Sequence, residues 1–372
     1  MLSYWERASF IAYDFIIVGG GIVGFSTAIS LKEKHPLASV LVVEASFLPS
    51  GASTKNAGFA CVGSLSEILE DLKTLSSEEV KALVQFRYEG LQLLRKRLGD
   101  GAIDYQACTS HELLMEHELP YLEKIETINE LLHPVFGKSI FQESKAAVSS
   151  FGFGTTVKSL LQNTVEGSIH TGKMMRQLLL KAQAVGVEYK TNAKVKQVQD
   201  TGNEVSVSIE NFEALLKAKK VFICTNAFTK TLLPKIILKP GRGQVLVTKP
   251  IPNLKFKGIY HFDGGYYYFR EIEGRILLGG GRNLDFEKET TTTLELNEQI
   301  QQDLEDKLHQ IICPNTPFEI DMRWSGIMAF GPTKEILIET VSPNVLAGVR
   351  LGGMGVAIGS KLGELLAGKI AY

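Results

Sequence analysis

Apolar residues along the chain follow two different periods, and the switch between them divides the sequence. Phe15 to Val18 is a short continuous apolar run. Gly19, Gly21 and Gly24 follow, with a helical repeat starting near Ile22, and a second apolar run, Leu41 to Val43, ends at Glu44. Strand, glycine turn, helix and strand is the order of a βαβ unit, whose parallel strands are buried on both faces. Pro49 to Gly58 is polar and rich in small residues, which predicts a loop. Ser76-Ser77-Glu78-Glu79 forms a capping box. Val80, Leu83, Val84, Leu91, Leu94 and Leu98 follow at helical spacing until Gly99, and a second helix is predicted from Pro120 to Leu132. Met174, Leu178, Leu179 and Ala182 predict a helix ending before Gly186. Val187 to Tyr189 and Ala193 to Val195 predict a strand pair, and Val221 to Ala227 a buried strand ending in small polar residues.

The period then becomes two. Gln244 to Thr248, Gly258 to Phe262, Tyr266 to Glu271 and Arg275 to Gly279 read as an antiparallel meander with turns at Asp263-Gly264-Gly265 and Glu273-Gly274. A helix with Ile300, Leu304, Leu308 and Ile311 on one face closes that part. The chain ends on a second strand (Asn344 to Gly348), glycine loop (Leu351 to Gly355) and helix (Val356 to Leu366). The pattern predicts an α/β fold with an α+β second domain: a Rossmann-like nucleotide-binding domain from residues 12–75, 149–238 and 322–372, and an inserted substrate domain from 76–148 (helical) and 239–321 (antiparallel sheet and helix).

The first glycine turn carries the candidate chemistry. Gly19 allows the tight turn, Gly21 lets backbone amides approach a pyrophosphate, and Gly24 lets helix pack on strand, while the helix start offers unpaired donors. Glu44, twenty residues past Gly24, is placed to accept the ribose hydroxyls. The second glycine loop has no following strand and acid, so its helix start is predicted to face another part of the same ligand. Leu278 to Arg282 has glycines but no helix after it, which argues against a second dinucleotide fingerprint.

Composition narrows the rest. At 372 residues the chain suggests about two domains. With 40 basic and 41 acidic side chains, no charge imbalance points to nucleic acid or an anionic membrane surface. No run is long and apolar enough to span a membrane, and Met1 to Ala12 has no signal-peptide pattern. Cys61, Cys108, Cys224 and Cys313 form no CxxC and read as thiols in a reducing cytoplasm. The seven histidines lack metal-ligand spacing, so no metal is expected.

Taken together, Gly19 to Gly24 with Glu44, Gly51-Ala52-Ser53-Thr54-Lys55-Asn56-Ala57-Gly58, Thr225-Asn226-Ala227, Arg242-Gly243-Gln244, Arg323-Trp324-Ser325-Gly326 and Gly352-Gly353-Met354-Gly355 resemble the D-amino-acid-oxidase superfamily of FAD oxidoreductases. That group includes glycine oxidase, D-amino acid dehydrogenase, sarcosine oxidase and gamma-glutamylputrescine oxidase. The resemblance implies that Gly19, Gly21, Ile22, Val23, Gly24, Glu44 and Ala45 hold the ADP half, and that the Val195 backbone meets adenine. Ser53, Thr54, Asn56, Ala57 and Gly58 would pass beside the ribityl chain and ring, with Thr225 and Asn226 at the strand end. Gly353, Met354, Gly355 and Val356 would approach the pyrimidine end, where a helix start favours an anionic reduced flavin. The cysteine that anchors flavin in sarcosine oxidases is absent from Met328 to Pro332, which implies noncovalent FAD.

Such enzymes oxidise a C–N bond by hydride transfer to flavin N5, and the imine is hydrolysed. A donor carboxylate requires a cation or hydroxyl. Tyr266 matches the first residue of the YxxPR segment of glycine oxidase, whereas Met328 stands where glycine oxidase has a carboxylate-binding arginine. Arg270, Arg282 or Arg350 would then supply the cation, or the donor is a larger amine; the candidate donor site is Tyr266, Arg270, Met328 and Arg350. Tyr266, Tyr268 and Arg270 share one strand face by period two, or are sheet packing and a surface charge. Leu277 aligns with the lysine that activates oxygen in sarcosine oxidases, leaving oxygen and a quinone or carrier both open as acceptor. His261 reads as a structural histidine. Two rival readings are an FAD dehydrogenase of a 2-hydroxy acid or polyol, and a flavin-binding protein without turnover.

Overall fold

A computed structural model describes residues 1–144, 146 and 148–370, so the end of the last predicted stretch, 371–372, lies outside the described residues. The first sheet is parallel at its centre. Val345–Val349, Leu215–Ile223, Ala12–Val18, Val40–Val43 and Val187–Lys190 lie side by side in that order, with Leu337–Ser342 antiparallel on one edge. Successive residues of its central strands point to opposite faces, and both faces are covered. Phe15, Ile17, Val40, Val42 and Phe222 pack under helices Ile22–Lys34, Thr171–Ala184 and Gly355–Gly368. Ile16, Val18, Leu41, Val43, Val221 and Ile223 pack on the other side, where the hairpin Val195–Asp200 and Val205–Ile209 joins the outer half of Leu215–Ile223. Continuous apolar runs therefore read correctly as two-sided burial. Val195 opens that antiparallel hairpin rather than pairing with Val187–Lys190 as predicted.

Among the described residues the second sheet has eight strands, antiparallel except where Ile259–Phe262 runs parallel to Ser110–Leu114. The predicted meander forms its centre. Ser110–Leu114, Phe141–Glu143 and Ser159–Asn163 extend one side, and none of these three was anticipated, because Ser110–Leu114 and most of Ser159–Asn163 are buried on both faces and show no alternation. One face packs Tyr260, Phe262, Tyr267, Phe269, Leu246 and Leu278 against the helix Glu298–Lys307. That helix continues as a π turn, Leu308–Ile312, so Ile312 rather than the expected Ile311 is fully buried with Ile300, Leu304 and Leu308.

Other departures are local. The loop after Glu44 contains a one-turn helix, Ala52–Lys55. The helix expected from Pro120 begins at Ile125, because the residues around Pro120 wind as a 3-10 segment, Glu116–Lys124. Ser77–Leu98 starts at its capping box and stops at Gly99 as predicted. Its first half packs Val80 and Val84 with Leu65 and Leu132; its second half packs Leu91 and Leu94 with Phe25 and Leu362. This helix thus begins just past the predicted boundary at 75/76, yet its second half packs into the core beneath the first sheet. Ser159–Asn163 and all of Ile320–Phe330 belong to the second sheet, and we propose the five-stretch division with those boundaries moved past residues 163 and 330.

Candidate functional site

Among the described residues, five helices begin on a side-chain cap: Ser3, Ser64, Ser76, His170 and Asn297 each accept a first-turn amide. Ile22–Lys34, Ala52–Lys55 and Gly355–Gly368 begin instead at Gly21, Gly51 and Met354 without a side-chain cap of their own, and none has an acid in its first turn. Open amides at a helix start are the donors an anionic ligand uses. The turn leading into the first is fixed by packing. Gly19 has φ +110°, and a Cβ on Gly24 would lie 1.9 Å from the Gly19 carbonyl oxygen, so only glycine lets helix meet strand there.

These starts are tied together. Ser53 Oγ accepts the Ile22 amide at 3.1 Å, while Glu44 accepts the amides of Gly20 (2.9 Å) and Ser46 (3.1 Å), so its carboxylate hangs beside the turn. Ala45 is exposed, and Val195 lies close by, since the Ala193 amide donates to the Glu44 carbonyl. Thr54 and Asn56 serve the loop itself. The Thr54 hydroxyl donates to Pro49 O, and Asn56 donates to Ser53 O while accepting from the Gly58 amide and the Thr171 hydroxyl. Thr225 packs beside Gly19, and Asn226, at φ +44°, accepts the Arg350 amide. Val356 is buried against the helix core, leaving Gly353, Met354 and Gly355 at the start of the last helix. These residues fit an FAD: a carboxylate beside the glycine turn for a ribose, and the helix-start amides that follow Ile22 for a diphosphate.

The loop leads onto the second face of the second sheet. The Trp324 indole donates to Lys55 O (3.0 Å), and Ala57 and Phe59 pack with Val245, Val247, Leu277 and Tyr268. Register puts Met328, Gly326 and Trp324 opposite Gly241, Gly243 and Val245, then Gly279 and Leu277 opposite Tyr268 and Arg270. The floor of this wall is therefore bare backbone at 241, 243, 279 and 326. Each glycine is roofed by a neighbour: Arg282 and Phe330 over Gly241, Met328 over Gly243, Tyr268 over Gly279 and Lys55 over Gly326. Tyr268 is pushed up to about 12 by burial and stays protonated. Tyr266, expected on this wall, precedes the strand Tyr267–Ile272, is half exposed, and places its ring against Phe286 at the rim.

Two of the predicted arginines are occupied. Arg270 is buried on the wall, where Nη1 donates to the carbonyls of Ala57, Gly58 and Ile169 (3.3, 3.1 and 2.8 Å), holding the loop in place. Arg350, at φ +69°, sends Nε to Glu335 O (2.9 Å), with its side chain under Gly331.

Beyond Tyr268 lies His261, expected from sequence to be structural, together with Glu112, which the sequence did not single out. His261 stands opposite Tyr268 on one side and Glu112 on the other. Its buried Nδ1 has no hydrogen-bond partner among the described residues and lies 4.0 Å from Glu112 Oε1. Burial raises Glu112 to about 7, against the pull of hydrogen bonds from Ser66, and burial lowers His261. Glu166 beside them accepts the amides of Val62 and Gly63 and the Ser110 hydroxyl. Nothing in Ser110-His111-Glu112 marks it in sequence, because the contact depends on a parallel pairing across some 150 residues.

Residues 14–369 match the family described as FAD dependent oxidoreductase. The chain belongs to that family. It is therefore an FAD-dependent oxidoreductase with a Rossmann-like nucleotide fold, as its resemblance implied. A bovine (Bos taurus) protein, L-2-hydroxyglutarate dehydrogenase, mitochondrial, is 24% identical over 311 residues, which is 76% of this chain and 64% of the relative's length. Among solved structures, L-proline dehydrogenase from P. horikoshii superposes with a TM-score of 0.77 at 19% identity, covering 96% of this chain and 92% of that one. Glycine oxidase from Bacillus cereus does so with 0.73 at 18%, covering 95% and 96%. These structural likenesses establish the fold. Among the described residues, no helix is long and apolar enough to cross a membrane.

Proposed function

We propose that this family member oxidises the C–N bond of an amino acid or a secondary amine, with noncovalent FAD held by Gly19 to Gly24, Glu44, Ser53 to Gly58 and Gly353 to Gly355. FAD supplies a two-electron acceptor for the hydride on the carbon next to nitrogen, and water hydrolyses the resulting imine. The protein's own task is to orient the donor and keep water out. The observation that carries this reading is the glycine-floored wall beside the flavin loop, roofed by Tyr268 and Met328. An ammonium loses its proton readily, so the wall needs no strong base, and Tyr268 at about 12 is none at neutral pH. Leu277, buried on the same face, puts a hydrocarbon where an oxygen-activating lysine would stand. That supports a dehydrogenase delivering electrons to a quinone or carrier.

A second reading, oxidation of a 2-hydroxy acid, is favoured by His261 and Glu112. An alcohol needs a base, and a neutral histidine backed by a carboxyl group is one. The name of the bovine relative points the same way. Anaerobic mixing of the holoprotein with amino acids, amines and hydroxy acids separates the readings. Loss of the visible flavin band with amines supports the first, and loss with hydroxy acids alone supports the second. No loss across a broad panel would leave a flavin protein without turnover.

A further inference from the structure

One guanidinium on the wall meets aromatic rings but, among the described residues, no hydrogen-bond acceptor. Arg282 follows Gly281 in the short turn Arg282–Leu284, at the end of the strand Arg275–Gly280. Its guanidinium lies over Gly241 between two rings, 4.3 Å from the Phe330 centroid and 5.1 Å from that of Phe286. Among the described residues it makes no hydrogen bond and no ion pair, and its Nε is buried without a partner. The neighbouring Asn283 likewise holds a buried amide oxygen with no donor. Partial burial lowers the Arg282 pKa, with Glu289 and Tyr266 acting against that.

Glu289 is the carboxylate that would ordinarily answer this charge, and it is already saturated. Arg242 binds it through Nε (2.9 Å) and Nη2 (2.8 Å), Gln244 donates at 3.0 Å and Asn297 at 2.9 Å. The molecule thus builds one bidentate arginine–carboxylate pair and leaves a second arginine beside it unanswered. A partly dehydrated cation held only by aromatic faces is costly unless an anion completes it, and a planar guanidinium favours a carboxylate. Gly241, without a side chain, gives the guanidinium its place on the wall.

We propose that Arg282 is the residue that binds the donor's carboxylate, so that the enzyme's substrates are amino or imino acids rather than uncharged amines. This rests on reading the wall as the donor pocket. It explains how the site manages with Met328 at the position where an arginine was expected: the cation comes from the end of a neighbouring strand. Phe286 and Phe330 hold the guanidinium plane, and Tyr266 stands at the same rim.

The test reads binding, which does not depend on turnover. Acetate, malonate and glutarate, with acetamide as the uncharged control, are titrated into the FAD-loaded protein by calorimetry. At least one of the acids binds saturably and acetamide does not. Arg282→Gln weakens that acid by roughly thirtyfold or more, as loss of one partner of a buried charge pair does, and Arg282→Lys weakens it less. In turnover, Arg282→Gln raises KM for a carboxylate donor much more than it lowers kcat. Equal affinity in wild type and Arg282→Gln, or no acid binding by the wild type, overturns the proposal. A purely packing role would lower thermal stability in both variants without changing the preference for acids over acetamide. If Arg282→Gln does not fold, the Arg282→Lys titration alone decides, since unchanged acid affinity there contradicts a bidentate contact. Acid binding without flavin reduction by any donor would uphold this site and remove the proposed reaction, whereas reduction without acid binding would do the reverse.

Discussion

The proposed flavin cradle and the proposed donor wall lie on either side of one loop, and they are built from different materials. The cradle works through backbone: amides in the first turns of Ile22–Lys34 and Gly355–Gly368, and a turn that only glycine can make at positions 19 and 24. The wall works through side chains aimed by β-sheet register, and its glycines at 241, 243 and 279 matter for the side chains they leave room for. Backbone function leaves a spaced motif in the sequence, whereas register function leaves only alternation.

The two regions should therefore fail differently. The largest effect is expected in the cradle. Gly24→Ala drives a methyl into the Gly19 carbonyl, and strain of about 3 kcal/mol in the turn predicts roughly a hundredfold weaker FAD binding. Flavin-to-protein ratio after gel filtration checks it, and full occupancy would show that the turn is not under packing control. Arg270→Met comes next. Releasing three carbonyls is expected to lower stability by about 2–4 kcal/mol and to speed flavin release, with turnover falling about equally for donors with and without a carboxylate. A loss confined to carboxylate donors would instead put Arg270 on the substrate.

Glu112→Gln sharpens the wall side through pH. A carboxyl raised from 4.5 to about 7 favours the folded state while protonated, so its contribution is complete below pH 4.5 and is lost as pH rises through 7. Wild type should lose on the order of 1–3 kcal/mol more than Glu112→Gln across that interval, read from paired melting curves. Parallel curves would mean that Glu112 titrates normally. Arg350→Ala carries the smallest effect, about 1–2 kcal/mol of stability with KM unchanged, since its contacts are to carbonyls. A large rise in KM would return Arg350 to the donor site.

The same division decides how far the sequence could be read. Strand, turn and helix around Gly19 to Glu44, and the capping box at Ser76, are local signals, and the structure repeats them. Ser110–Leu114 and Ser159–Asn163 escaped because strands covered on both faces carry no period, and the helix from Pro120 shifted because a 3-10 segment competes around that residue. On the wall, period two correctly grouped Tyr268 with Arg270. It placed Tyr266 with them as well, but the strand begins one residue later and Tyr266 falls at the rim. The surroundings of Arg282 and His261 could not be foreseen, because each depends on which distant strands lie alongside.

The reaction itself is tested most directly by the rate at which an amino acid bleaches the holoprotein's flavin band without oxygen, compared with the same donor deuterated on the carbon next to nitrogen. Hydride removal from that carbon predicts bleaching that slows several-fold on deuteration. An inert amino acid beside a 2-hydroxy acid that bleaches, and slows when deuterated on its hydroxyl-bearing carbon, would contradict C–N oxidation and assign the site to C–O chemistry.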